Sequence, residues 1–95
     1  LRVARVEEVS VHPNADRLYV LKVRAGAEVR QVVAGIRSQY TPEQLTGRLV
    51  VVVWNLKPAM LRGVESQGMV LAAAAGDTVS LVAPDRAVEP GAEVR

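Results

Sequence analysis

Residues 55–75, NLKPAMLRGVESQGMVLAAAA, hold most of the groups in this chain that could do chemistry. Lys57 and Arg62 supply positive charge, Glu65-Ser66-Gln67 supplies donors and acceptors, and Met69 supplies a polarizable thioether. Gly63 and Gly68 bracket the polar group, which predicts a bend, a bulge or a close backbone approach. Nucleophilic catalysis would need an activated Ser, Cys or Lys beside a base. Ser66 has Glu65 as its neighbour, but adjacent strand residues point to opposite faces. The sole histidine, His12, lies in a distant turn, and no Cys supports it as a metal ligand. No phosphate-cradling glycine loop or paired-carboxylate motif stands out. The sequence therefore points away from an enzyme and names no catalytic residue, metal site or cofactor.

The same groups suit a nucleic acid. Only Tyr19, Tyr40 and Trp54 are aromatic, too few to stack many single-stranded bases. Cations with amides and hydroxyls fit the backbone, 2′-hydroxyls and shape of a folded RNA better. On that reading Arg30, Arg37, Lys57 and Arg62 meet phosphates, while Asn55, Ser66 and Gln67 donate and accept. Met69 would lie against a base or ribose. Spacing alone favours the plainer readings, Met69 as a core filler and Ser66 as a solvated strand residue. The charge is uneven: residues 17–62 carry eight cations against Glu28 and Glu43, although the whole chain is only +2. A local positive field of this kind suits a phosphate-bearing partner, and a surface of mixed sign would give the same count.

These side chains need a scaffold. A chain of 95 residues is one small domain. Nineteen valines and no Phe predict a core of β-branched residues on strands. Residues 2–11 alternate apolar and polar with a slip between Val3 and Val6, which predicts a bulge there. Residues 18–24 alternate well, with Tyr19, Leu21 and Val23 on one side, and Ala25-Gly26-Ala27 turns the chain into a strand over 28–33. Thr41, Pro42 and Gln44 have the order of a helix N-cap, first position and capping-box partner, and Gly47 ends that short helix. Residues 49–54 are continuously apolar, as in a strand buried on both sides. A strand over 69–74, a turn at Gly76-Asp77 and a strand over 78–82 follow. Pro90-Gly91 predicts a type II turn, with a short strand after it. This order predicts an all-β, five-stranded Greek-key barrel of the OB-fold type, with a short helix between strands 3 and 4. The barrel would span residues 1–76 and a C-terminal extension residues 77–95. Without cysteine the chain fits the cytoplasm, and no apolar run is long enough to span a bilayer.

Three blocks also carry a resemblance. His12-Pro13-Asn14-Ala15-Asp16, Asn55-Leu56-Lys57-Pro58 and Gly63-Val64-Glu65-Ser66-Gln67-Gly68-Met69 resemble, in order and spacing, the signature blocks of the tRNA-binding domain family. That family includes the C-terminal domain of bacterial methionyl-tRNA synthetase, freestanding tRNA binders and an export chaperone. Val70-Leu71-Ala72 after the Gly-Met pair is similar to the first two rather than to the phenylalanyl-type relatives. The resemblance implies tRNA as partner, a homodimer formed through the chain start and residues 78–95, and a parent synthetase catalytic domain. It also places Asn14 and Arg17 near the RNA face, and Ser66 and Met69 on it. The chaperone relative implies the alternative, a domain that binds polypeptide.

Overall fold

The computed structural model describes residues 1–95, and the valine-rich runs are its strands. β1 (Arg2–Val11), β2 (Tyr19–Ala25), β3 (Glu28–Ala34), β4 (Leu49–Val53) and β7 (Met69–Val70) form one antiparallel sheet in the order β3-β2-β1-β4-β7. It curls into a half-barrel, an OB-like architecture. Helix α1 (Pro42–Leu45) lies between β3 and β4, and the Thr41 and Gln44 side chains close its capping box. Two ribbons stand apart from the sheet: β5 (Ala59–Leu61) with β6 (Val64–Ser66), and β8 (Ala72–Ala75) with β9 (Thr78–Leu81).

The core follows from strand alternation. Ala4, Val6, Tyr19, Leu21, Val23, Val32, Val50, Val52 and Trp54 point inward, with Leu45 from the helix among them. Val3 and Val51 are paired and buried on the opposite face of their strands. Val3 exchanges backbone hydrogen bonds with Gly91 and Ala92 there. A one-face-wet sheet would have left these valines in water.

Three details differ from expectation. The β1 register shift falls between Val6 and Glu8, not between Val3 and Val6. Val3 looks out of step because the tail covers it, so both faces of β1 are apolar at that end. The strand expected over 69–74 breaks at Leu71, whose amide still donates to Val51 O, before the chain leaves the sheet. Four alanines follow, all exposed, since their methyl groups fill little core volume. Past the Pro90-Gly91 turn only a single bridge, Arg2 to Glu93, replaces the expected strand. The turn itself forms: Gly91 has φ +105° and Ala92 N–H donates to Glu89 O at 3.1 Å. A Cβ on Gly91 would come within 2.9 Å of Gly26 N, so this glycine lets the tail dock on the β2–β3 turn.

Candidate nucleic-acid interface

β3 is an edge strand, and an uncovered edge leaves N–H groups without partners. Residues 65–68 cover it largely with side chains. Val33 N–H donates to Ser66 Oγ at 2.9 Å, and Gln31 N–H donates to Gln67 Oε1 at 2.9 Å. Gln67 N–H returns a bond to Gln31 O at 2.7 Å. Ser66 Oγ–H then donates to Gly68 O at 2.8 Å. Ser66 is 4% exposed and its hydroxyl is fully engaged. The expectation that it faces an RNA is therefore corrected: its hydroxyl substitutes for a ladder carbonyl. Gln67 is half-buried and its carboxamide oxygen does the same work. Gly68 is required because a Cβ would lie 2.9 Å from Val53 O.

Arg30 is tied into the fold by several contacts. Its guanidinium lies 4.2 Å from the centroid of the Trp54 ring. It donates to Glu28 Oε2 at 2.7 Å, to Trp54 O, and at 3.4 Å to Gln67 O. Hydrogen bonding from Arg30, more than any other cause, holds the Glu28 carboxyl below its ordinary value, with the Trp54 indole N–H adding to it. A cation held by a ring, a carboxylate and two carbonyls is committed to the fold.

A different corner keeps its cations free. His12 is buried; its Nδ1 accepts from Asn14 N–H at 3.0 Å, leaving Nε2–H to donate to Leu61 O at 2.9 Å. Asn14 Nδ2 donates to Arg62 O at 3.1 Å. The residue 12–16 turn is thereby fastened to the β5–β6 ribbon. Arg62 and Gly63 form the ribbon's turn with φ of +53° and +86°, the sign pattern of a type I′ hairpin. Arg62 is the one non-glycine residue with positive φ, a conformation that disfavours a side chain. Asn14, Asp16, Arg17, Leu18 and Arg62 line an open depression of about 430 Å³. Arg37 reaches its rim by donating to Asp16 O at 2.9 Å. Arg17, Arg37, Lys57 and Arg62 have no carboxylate partner, because the ion pairs are Arg24–Glu7, Arg30–Glu28 and Arg95–Glu93. Asn55 and Lys57 are exposed on the strap that leads into the ribbon.

Met69 lies elsewhere. It is 56% exposed on the rim of an apolar groove of about 270 Å³, lined also by Val33, Ile36, Val79 and Leu81. The groove and the cationic depression adjoin where Gly35 of the one packs by Leu18 of the other: a Cβ on Gly35 would meet Leu18 Cδ2 at 3.5 Å. The β8–β9 ribbon is held over the groove by Gln39, which bonds Asp77 O and Val79 N, and by Tyr40, whose hydroxyl accepts from Leu81 N–H at 2.9 Å. That amide bond is the first cause of a Tyr40 phenol held below its ordinary value.

The structure thus brings Asn14, Arg17, Arg37 and Arg62 together and sets Met69 beside them. It buries Ser66 and engages Gln67 and Arg30, both still half-buried, in scaffold contacts. Sequence reasoning missed His12 as the fastener. The signal was its place as the lone histidine between a strand end and Pro13, in a turn that must touch something.

A family model described as "Putative tRNA binding domain" matches residues 1–93. The methionine–tRNA ligase of Thermococcus kodakarensis is 58% identical over 95 residues, all of this chain and 13% of that protein. The enzyme of Thermotoga maritima is 53% identical over 94 residues, 99% of this chain and 15% of that protein. This chain therefore spans about one seventh of the curated relatives it matches. Among solved structures, a MetRS related protein from Pyrococcus horikoshii has a TM-score of 0.91 at 38% identity, covering 99% of this chain and 87% of that one. The CsaA chaperone protein of Picrophilus torridus has a TM-score of 0.91 at 31% identity, covering 99% and 89%.

Proposed function

The chain belongs to the tRNA-binding domain family, and on that premise we propose that it grips a folded tRNA by phosphate backbone and shape, as the C-terminal accessory of a methionine–tRNA ligase. The observation that carries this reading is the corner where Arg17, Arg37 and Arg62 converge without carboxylate partners. Lys57, exposed on the strap that leads into the ribbon, would add a fourth cation. Asn14 and Asn55 offer amides to ribose and phosphate oxygens, and Met69 offers an apolar rim to a ribose or base. Four neutralised phosphates would give a slope of about −3 in log affinity against log salt. Parallel gel-shift titrations with total tRNA, single-stranded RNA and duplex RNA test the proposal. It requires tRNA to bind best and salt to weaken it steeply. Equal affinity for all three would reduce it to unspecific charge attraction.

The domain would act as a homodimer joined through its termini. Val79 and Leu81 pack on the core cluster, which leaves Leu1, Val82 and Val88 as exposed apolar candidates. A two-fold pair would present two RNA surfaces and bind by avidity. Sedimentation at micromolar concentration checks it, and a monomer there refutes the pairing.

A polypeptide-binding role is the second reading. The apolar groove beside Met69 supports it, as does the likeness to CsaA chaperone structures. Binding of an unfolded peptide without any tRNA affinity would favour it.

A further inference from the structure

The outward face of the β5–β6 ribbon carries no partner and has a composition unlike the rest of the cationic corner. In the ribbon register Ala59 pairs with Ser66, Met60 with Glu65 and Leu61 with Val64. Strand alternation puts Met60 and Glu65 alone on the face away from buried Ser66. Met60 is 64% exposed, the most exposed large apolar residue in the chain. Directly opposed residues on such a pair have Cβ atoms about 5 Å apart, so the thioether and the carboxylate form one small surface. The Glu65 carboxylate takes no ion pair, although Lys57 and Arg62 lie on the same arm.

This face is held rigidly. Leu61 O and Arg62 O are fastened by His12 and Asn14. Glu65 O accepts from Gln31 Nε2 at 2.8 Å, and Gln31 Oε1 accepts from Lys22 Nζ at 2.9 Å. An apolar side chain opposite an unpaired carboxylate, with Lys57 just before the ribbon and Arg62 at its turn, is poorly suited to phosphate alone. Phosphate would be repelled by Glu65.

We propose that Met60 and Glu65 receive one unpaired guanine of the bound RNA, with Lys57 and Arg62 holding the phosphates on either side. This rests on the tRNA-binding reading above. Guanine is the base whose Watson–Crick edge offers two adjacent donors, N1–H and N2–H, to the two oxygens of one carboxylate. The polarizable Met60 sulfur and methyl would cover the ring. Cytosine, adenine and uracil each offer a single donor on that edge.

The test uses the full chain and fluorescence anisotropy with 5′-labelled UUUUU, UUGUU, UUAUU and UUCUU, beside total tRNA. UUGUU should bind about tenfold tighter than UUUUU, the size of one bidentate base contact. E65Q should abolish that preference while leaving UUUUU bound as well or slightly better. M60A should weaken UUGUU several-fold with an unchanged salt slope. Both side chains are exposed, so circular dichroism should report native folding in each variant. Equal affinity for the four oligonucleotides, with tRNA still bound, overturns this inference and spares the tRNA-binding reading. A uniform tightening by E65Q also overturns it, because the carboxylate would then only repel. Loss of self-association in M60A, with RNA binding intact, assigns the face to a second copy and overturns it as well. Failure of the wild-type chain to bind any RNA, tRNA included, removes both.

Discussion

Arg30 on β3 and Arg62 in the β5–β6 turn have opposite fates. At the first corner Trp54 supplies a ring, Glu28 a carboxylate and Gln67 a carbonyl, and the guanidinium is spent on them. At the second the guanidinium forms no ion pair, although Asp16 lines the same depression, and the side chain projects from a turn whose backbone is held in an unfavourable conformation. Both residues look alike in a count of charges. What separates them is the neighbourhood that the fold delivers, which decides whether a cation is structure or surface. The strained Arg62 backbone is kept in place by Asn14 and His12, so the available charge is also a positioned one.

The comparison can be broken most forcefully at the scaffold corner. Ser66→Ala strands the buried Val33 N–H without an acceptor, an expected loss of about 2 kcal/mol, or roughly 10 °C in Tm. Tested well below its Tm, the variant should still bind tRNA like the wild type. A large affinity loss with intact stability would return Ser66 to the RNA face. Arg62→Asn goes the other way. Asparagine tolerates positive φ, so stability should rise by about 1 kcal/mol by urea titration while tRNA affinity falls. A variant that binds as tightly as wild type would show that Arg62 contacts nothing.

The smallest effect belongs to pH. Glu28 has a folded pKa lowered from the ordinary 4.5, chiefly by the Arg30 hydrogen bond. The sign is that of a depressed carboxylate: its contribution is present above the unfolded value and is lost as pH falls through the folded one. Glu28→Gln should therefore flatten the decline of stability below pH 4.5, measured by urea unfolding at successive pH values. Identical acid limbs in the two proteins would mean that the Arg30 pairing adds nothing to folding.

Much of the scaffold could be read in advance. Tyr19, Leu21 and Val23 alternate and are buried together; Thr41, Pro42 and Gln44 form their capping box; Gly76-Asp77 turns its hairpin. These are short-range regularities of period and turn chemistry. The interface was legible only in part. Asn14, Arg17 and Arg62 converge because a turn at residue 14 meets a ribbon some 48 residues later. Ser66 and Gln67 have side chains that could face water or reach for an edge 33 to 36 residues away, and local sequence does not distinguish those outcomes. Arg30 stacking on Trp54 is the same kind of event, 24 residues apart.

The central claim is that charge at the Asn14–Arg62 corner meets phosphate and charge at the Trp54 corner does not. Its most direct test is the salt dependence of tRNA binding in the wild type, in the Arg17→Ala/Arg62→Ala double variant and in Arg30→Ala. The double variant should lose about 1.5 units of the log–log slope, half of the wild-type value, while Arg30→Ala keeps the wild-type slope. An unchanged slope in the double variant, or a matching loss in Arg30→Ala, would contradict the account.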